Sequence, residues 1–248
     1  MRGDAGHPVR LRFAKEGKVR FVSHRDVARA FERSLRIAGL PVAFTAGFAP
    51  RPKVSFGLAL GVGHESRAEY LDLELQEPVE APTLPERLSE GLPPGLSVTG
   101  AAPLAPRATA LQESVTAVSY ELRLADVAPA AVAAAGQAAA DAGTLTVATT
   151  RKGRPVVVDI APSLRRLDVD ATGGVTVELS TRPRAARPGE LLTALRTFAG
   201  TEAGEGEDRV LRTHQWIERD GARLEPLAAD PAPSAPSGAD ARALEACA

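Results

Sequence analysis

Apolar Val9, Leu11 and Phe13 alternate with Arg10 and Arg12, the period-2 pattern of a strand with one buried face and one cationic face. A polar KEGK turn follows, and Val19-Arg20-Phe21-Val22 resumes the alternation, which predicts a hairpin partner or a bent continuation of the first strand. From Ser23 the period changes to that of a helix. Val27, Phe31, Leu35 and Ala38 fall on one stripe, and Arg25, Arg29, Arg33 and Arg36 fall on the opposite side. Ser23 with Asp26 three positions on is a short-armed capping box, and Gly39 supplies a left-handed stop. Strands are predicted at 41–45, 54–60, 68–75 and 96–103, with a short helix over 84–90.

Strand, helix, strand, strand, helix, strand is the order of a split βαβ unit. The second half repeats it. A strand over 115–124 and an alanine-rich helix over 129–142 are followed by strands at 144–150 and 154–160 around an RKGR turn. A strand over 175–180, a helix at 190–198 opened by Pro188, and a closing strand at 209–217 complete the order. The expected fold class is therefore α+β, a tandem pair of ferredoxin-like modules with antiparallel sheets. They span residues 8–104 and 114–227, joined by the APLAPRATALQES stretch. Residues 228–248, rich in Ala, Pro and Ser, read as a disordered tail that buries too little apolar surface to offset its ordering entropy.

Charge changes this picture, because it is distributed in blocks. Residues 1–53 hold twelve basic side chains against four acidic ones, +8 in a chain whose total is −1. Residues 54–148 carry −8, residues 149–198 carry +4 and residues 199–248 carry −5. A local excess of this size points to an anionic partner for the first third of the chain. The single cysteine, Cys247, excludes a disulfide framework and an internal cysteine metal cluster. Without an apolar leader or a membrane-length apolar run, the expectation is a cytoplasmic protein with no membrane contact.

The segment GFAPRPKVSFG, residues 47–57, is the most informative short run. Pro50 and Pro52 stiffen the loop, so Arg51 and Lys53 are displayed with little entropy left to lose on binding. Phe48, unlike the aromatics that match buried faces, sits in the loop and is placed to stack on a base or enter a partner. The candidate binding set is His24, Arg25, Arg29, Arg33, Phe48, Arg51 and Lys53, with Arg151, Lys152 and Arg154 at the tip of the second-half hairpin. Arg182, Arg184 and Arg187 alternate with prolines ahead of a helix N-terminus, a position that accepts phosphate. His64 lies in a GVGHES turn. The histidines lack metal-ligand spacing, and the P-loop, dinucleotide and nucleophile-elbow motifs are missing, so neither a catalytic set, nor a metal, nor a cofactor is expected.

Residues 10–75, with the Ser-His pair at 23–24, the GF-x-P-x-P-K-x-SFG segment and EYLD at 69–72, resemble the bacterial radical SAM-linked (radical SAM-associated) proteins, a domain of unknown function. TTRKGRPVVVDIAPSL at 149–164, RPGELLTALRTF at 187–198 and RVLRTH at 209–214 extend the resemblance. In that family the domain is fused behind a radical SAM module or stands alone. This chain resembles the stand-alone form, lacking the C-x-x-x-C-x-x-C triplet that holds the iron-sulfur cluster. The resemblance implies an accessory protein beside a separately encoded radical SAM enzyme. Combined with the basic first third, it leads to the expectation of a non-catalytic RNA-binding companion. Two alternatives stand beside it: a protein-docking module that needs no nucleic acid, and an RNA-processing nuclease with His24 as general base.

Overall fold

The structure is a computed structural model that describes residues 6–151, 153–201 and 206–232. The first half contains β1 (His7–Lys15), α1 (His24–Ile37), β2 (Val54–Phe56), β3 (Glu65–Leu75), α2 (Leu84–Ser89) and β4 (Leu96–Pro103). A single-turn helix, α3 (Leu111–Ser114), leads to β5 (Ala117–Arg123), α4 (Pro129–Asp141), β6 (Thr146–Arg151), β7 (Arg154–Asp159), β8 (Leu164–Val169) and β9 (Gly174–Ser180). The chain continues through α5 (Pro188–Phe198), β10 (Arg209–Arg219), β11 (Ala222–Leu224) and α6 (Pro226–Ala229). It is a mixed α+β protein with mostly antiparallel sheet.

Strands of both halves share one sheet in the order β4-β1-β3-β10-β5-β9-β8, with β2 also on β3 and β11 also on β10. Every pairing within a half is antiparallel. The halves join through a short parallel contact, Leu211 opposite Glu65 and Arg212 opposite Ser66. The reason lies in β2, which is only three residues long and covers β3 at Leu71–Leu73. The first residues of β3 would otherwise present an unpaired edge, and β10 occupies it.

Two cores flank this junction. In the first, Val9, Leu11 and Phe13 of β1 meet Val27, Phe31 and Leu35 of α1. Ser23 Oγ accepts the Asp26 amide at 3.3 Å at the start of α1, and Gly39 takes φ +60 at its end. In the second, Val118, Tyr120 and Leu122 of β5 pack with α4 and with Leu191 and Leu195 of α5.

Several expectations are corrected. Residues 17–21 form a 3-10 turn rather than a strand, because Lys15 Nζ is buried and gathers the carbonyls of Arg20 and Val22 at 3.2 and 2.9 Å. The supposed cationic face of β1 is largely covered: Arg10 is fully buried, donating to both Asp72 oxygens at 2.7 and 2.9 Å, and Arg12 is half-buried. Arg12 donates to Glu225 at 3.2 Å. Glu225 and the Pro226 carbonyl, at the end of the predicted second module, cover them together with the beginning of the supposed tail. Residues 228–232 are ordered, with Ala229 buried, Asp230 3.7 Å from Arg10 and Pro231 bridged to Leu104; residues 233–248 lie outside the described residues. Residues 41–45 make isolated bridges instead of a strand. β6 and β7 form a separate two-stranded ribbon, and the unforeseen β8 takes the sheet edge.

Candidate binding surfaces: a basic helix face and an arginine-lined cleft

Helical geometry sets Arg25, Arg29, Arg33 and Arg36 along one side of α1 over about 16 Å, and all four are exposed. Arg29 reaches Asp26 at 3.3 Å, whereas Arg25, Arg33, Arg36 and Glu32 have no ion pair among the described residues. His24 sits in the first turn with its ring edge-on to Phe56, 5.0 Å between centroids, and Phe56 in turn packs on Phe13 and Phe31. The proline loop is the tip of a narrow hairpin, closed by Thr45 N to Arg51 O at 2.9 Å and Lys53 N to Ala43 O at 2.8 Å. Phe48 is fully exposed at that tip, Arg51 is exposed beside it, and Lys53 is drawn back to Glu74 at 2.9 Å.

The second-half candidates stand apart from this set. Arg154 is exposed on the β6–β7 ribbon, and Lys152 lies outside the described residues; Arg151 is described only in its backbone. The amino-terminal charge is thus divided. Arg10 and Lys15 serve the interior, the half-buried Arg12 is bonded to Glu225 and Arg20 to Glu207, and the α1 stripe with Arg51 faces outward.

A cleft of about 810 Å³ opens where the halves meet. One wall is the turn over residues 58–64, the other is the segment 180–188 leading into α5, and Val118 and Tyr120 of β5, Leu179 of β9 and Arg212 of β10 complete the lining. Arg184, Arg187, Arg212, His64 and Tyr120 line it, and no Asp or Glu does. Arg212 is held from behind. It donates through Nη1 to Glu69 at 2.8 Å and the Leu58 carbonyl at 3.0 Å, and through Nη2 to the Ala59 carbonyl at 3.0 Å. Arg184 is likewise held by Glu190, whose other oxygen accepts the Arg187 amide at 2.9 Å and caps α5. Arg212 Nε and the Nε and Nη1 of Arg184 remain buried without partners.

His64 is positioned by a turn in which Gly63 takes φ +86 and Gly61 approaches the ring so closely that a Cβ there would lie 3.0 Å from it. Burial lowers the His64 pKa, and the charges of Arg212 and Lys15 lower it further. The imidazole is therefore neutral at pH 7, with one N–H to donate. Lys15 is pushed down by its own burial, against the pull of Glu69. Burial is the larger cause in both, and only His64 is also lowered by neighbouring positive charge.

Arg212 and its partners were not among the sequence candidates. The signal available was weak: a lone arginine between Leu211 and Thr213 in an alternating strand, and acidic Glu69 and Asp72 among the alternating residues of another. Among the described residues there is no group of three or more His, Cys, Asp or Glu side chains suited to a metal ion. No described helix is long and apolar enough to cross a membrane.

Fold and site together define an α+β protein in which two halves share one sheet and enclose an arginine-lined cleft at their junction. The chain belongs to the bacterial family described as an uncharacterized protein conserved in bacteria (DUF2344), whose profile matches residues 9–189. No curated protein matches it.

Proposed function

We propose that this chain is a non-catalytic accessory protein that binds RNA through the outer face of α1 and the neighbouring hairpin tip, beside a separately encoded radical SAM enzyme. The radical SAM link rests on the family resemblance of residues 10–75 and not on the fold. The observation that carries RNA binding is the α1 stripe, four exposed arginines spaced about 5–6 Å apart along the axis, three of them without a described ion pair. Such an array suits backbone-dominated contact with phosphates, and Phe48 and Arg51 add a stacking side chain and a further cation. We read each half as a ferredoxin-like unit. The orders β4-β1-β3-β2 and β10-β5-β9-β8, all antiparallel, support that reading, with the β6–β7 ribbon as an insertion in the second. The test is a single-stranded RNA titration of the Arg25/Arg29/Arg33→Glu variant, which binds at least tenfold more weakly than the wild type if the proposal holds.

A second reading is a docking module for the enzyme without nucleic acid, and one observation favours it: the fully exposed Phe48 on a proline-stiffened tip is a ready apolar anchor. In that case Phe48→Ser weakens a nuclease-treated complex, and the arginine variant does not.

A further inference from the structure

We infer that the cleft between the halves is a binding site for a phosphate monoester carried on an apolar or planar body, as in a nucleoside monophosphate. Its charge is one-sided. Three arginines and a histidine face a space of about 810 Å³ that no carboxylate lines, because Glu69 and Glu190 sit behind Arg212 and Arg184 and orient them. Held this way, Arg184 keeps Nε and Nη1, and Arg212 keeps Nε, as charged donors for phosphate oxygens. Arg212 is 3% exposed and leaves Nε unpartnered, a costly arrangement in the free protein that an anion would relieve by drawing the group forward.

The same wall carries the N-terminus of the eleven-residue α5, with exposed Arg187 at the cap position, so backbone dipole and side-chain charge have the same sign. Leu58, Leu60, Val118, Leu179 and Pro183 give the remaining surface an apolar character. The volume lies within the range of roughly 300–1,000 Å³ typical of small-ligand sites. A single phosphate on an apolar or aromatic body satisfies both parts. The site is separate from the α1 face and does not depend on RNA binding there.

The two sources of such a group are a free nucleotide and the phosphorylated end of an RNA strand. The full chain is titrated with adenosine monophosphate, adenosine, and short RNA bearing either a 5′-phosphate or a 5′-hydroxyl, while the His64 ring signal is followed by NMR and assigned with His64→Gln. An incoming dianion offsets Arg212 and Lys15, so binding moves the His64 titration toward higher pH. Response to the monophosphate but not adenosine identifies a free nucleotide; response to 5′-phosphorylated RNA alone identifies a strand end. Either supports the site. Arg187→Glu, at an exposed position with no described ion pair, lowers the affinity of the responding probe by about tenfold or more, while Arg25/Arg29/Arg33→Glu leaves the His64 response in place. Silence of the His64 signal with both phosphorylated probes, or unchanged affinity in Arg187→Glu, overturns the inference.

Discussion

Arg212 on β10 donates to Glu69 on β3 at 2.8 Å, and each side chain is at least nine-tenths buried, so the two halves are held together by an ion pair inside the molecule. The guanidinium is further held by two carbonyls of the 58–59 turn. Such a pair contributes little relative to an apolar replacement, but breaking it is expensive.

Glu69→Ala therefore destabilises the protein by about 3–5 kcal/mol, because it leaves Arg212 buried without its counter-charge. Urea unfolding followed through Trp216 fluorescence reads this directly. A loss below about 1 kcal/mol would mean that the pair is dispensable at the junction.

Arg10 ranks its partners. Asp72 receives two short bonds, at 2.7 and 2.9 Å, whereas Asp230 stands 3.7 Å away. Asp72→Ala is expected to cost about 3 kcal/mol and Asp230→Ala about 1 kcal/mol, compared as shifts in urea midpoint at constant slope. Equal effects would place α6 and the residues after it on the same footing as the sheet itself.

The pH dependence follows from His64. Its folded-state pKa lies below the ordinary value of 6.5, so between those two points the unfolded chain binds more protons than the folded one. Stability from this group is complete above pH 6.5 and is lost as the pH falls below it. Unfolding free energies at pH 7.5 and 5.5 should therefore differ more in the wild type than in His64→Gln. An equal or larger difference in the variant would remove His64 as the cause.

Element types were largely legible where one face of the chain is apolar. The α1 stripe, its Ser23 cap, the Gly39 stop and the alternation of β1 and β3 all reflect local physics that the sequence encodes residue by residue. The solvent-facing candidates Arg25, Arg29, Arg33, Phe48 and Arg51 are exposed for the same reason. Alternation of charge with apolar side chains does not say, however, that the polar face of β1 meets water. Here α6 and Asp230 return from more than 200 residues away to cover Arg10. The cleft was less legible still. Arg184, Arg187 and His64 were noticeable singly, but their convergence with Arg212 depends on the parallel β3–β10 contact, and that contact exists because β2 is too short to fill the edge of β3.

The most direct test of the proposed function is the salt dependence of single-stranded RNA binding, measured by fluorescence anisotropy across a range of salt concentrations. Four α1 arginines on four phosphates give a slope of log K against log salt of about −3, and Arg25/Arg29/Arg33→Gln reduces it to about −1. A slope near zero in the wild type, or one that the substitutions leave unchanged, would contradict RNA recognition by this helix face.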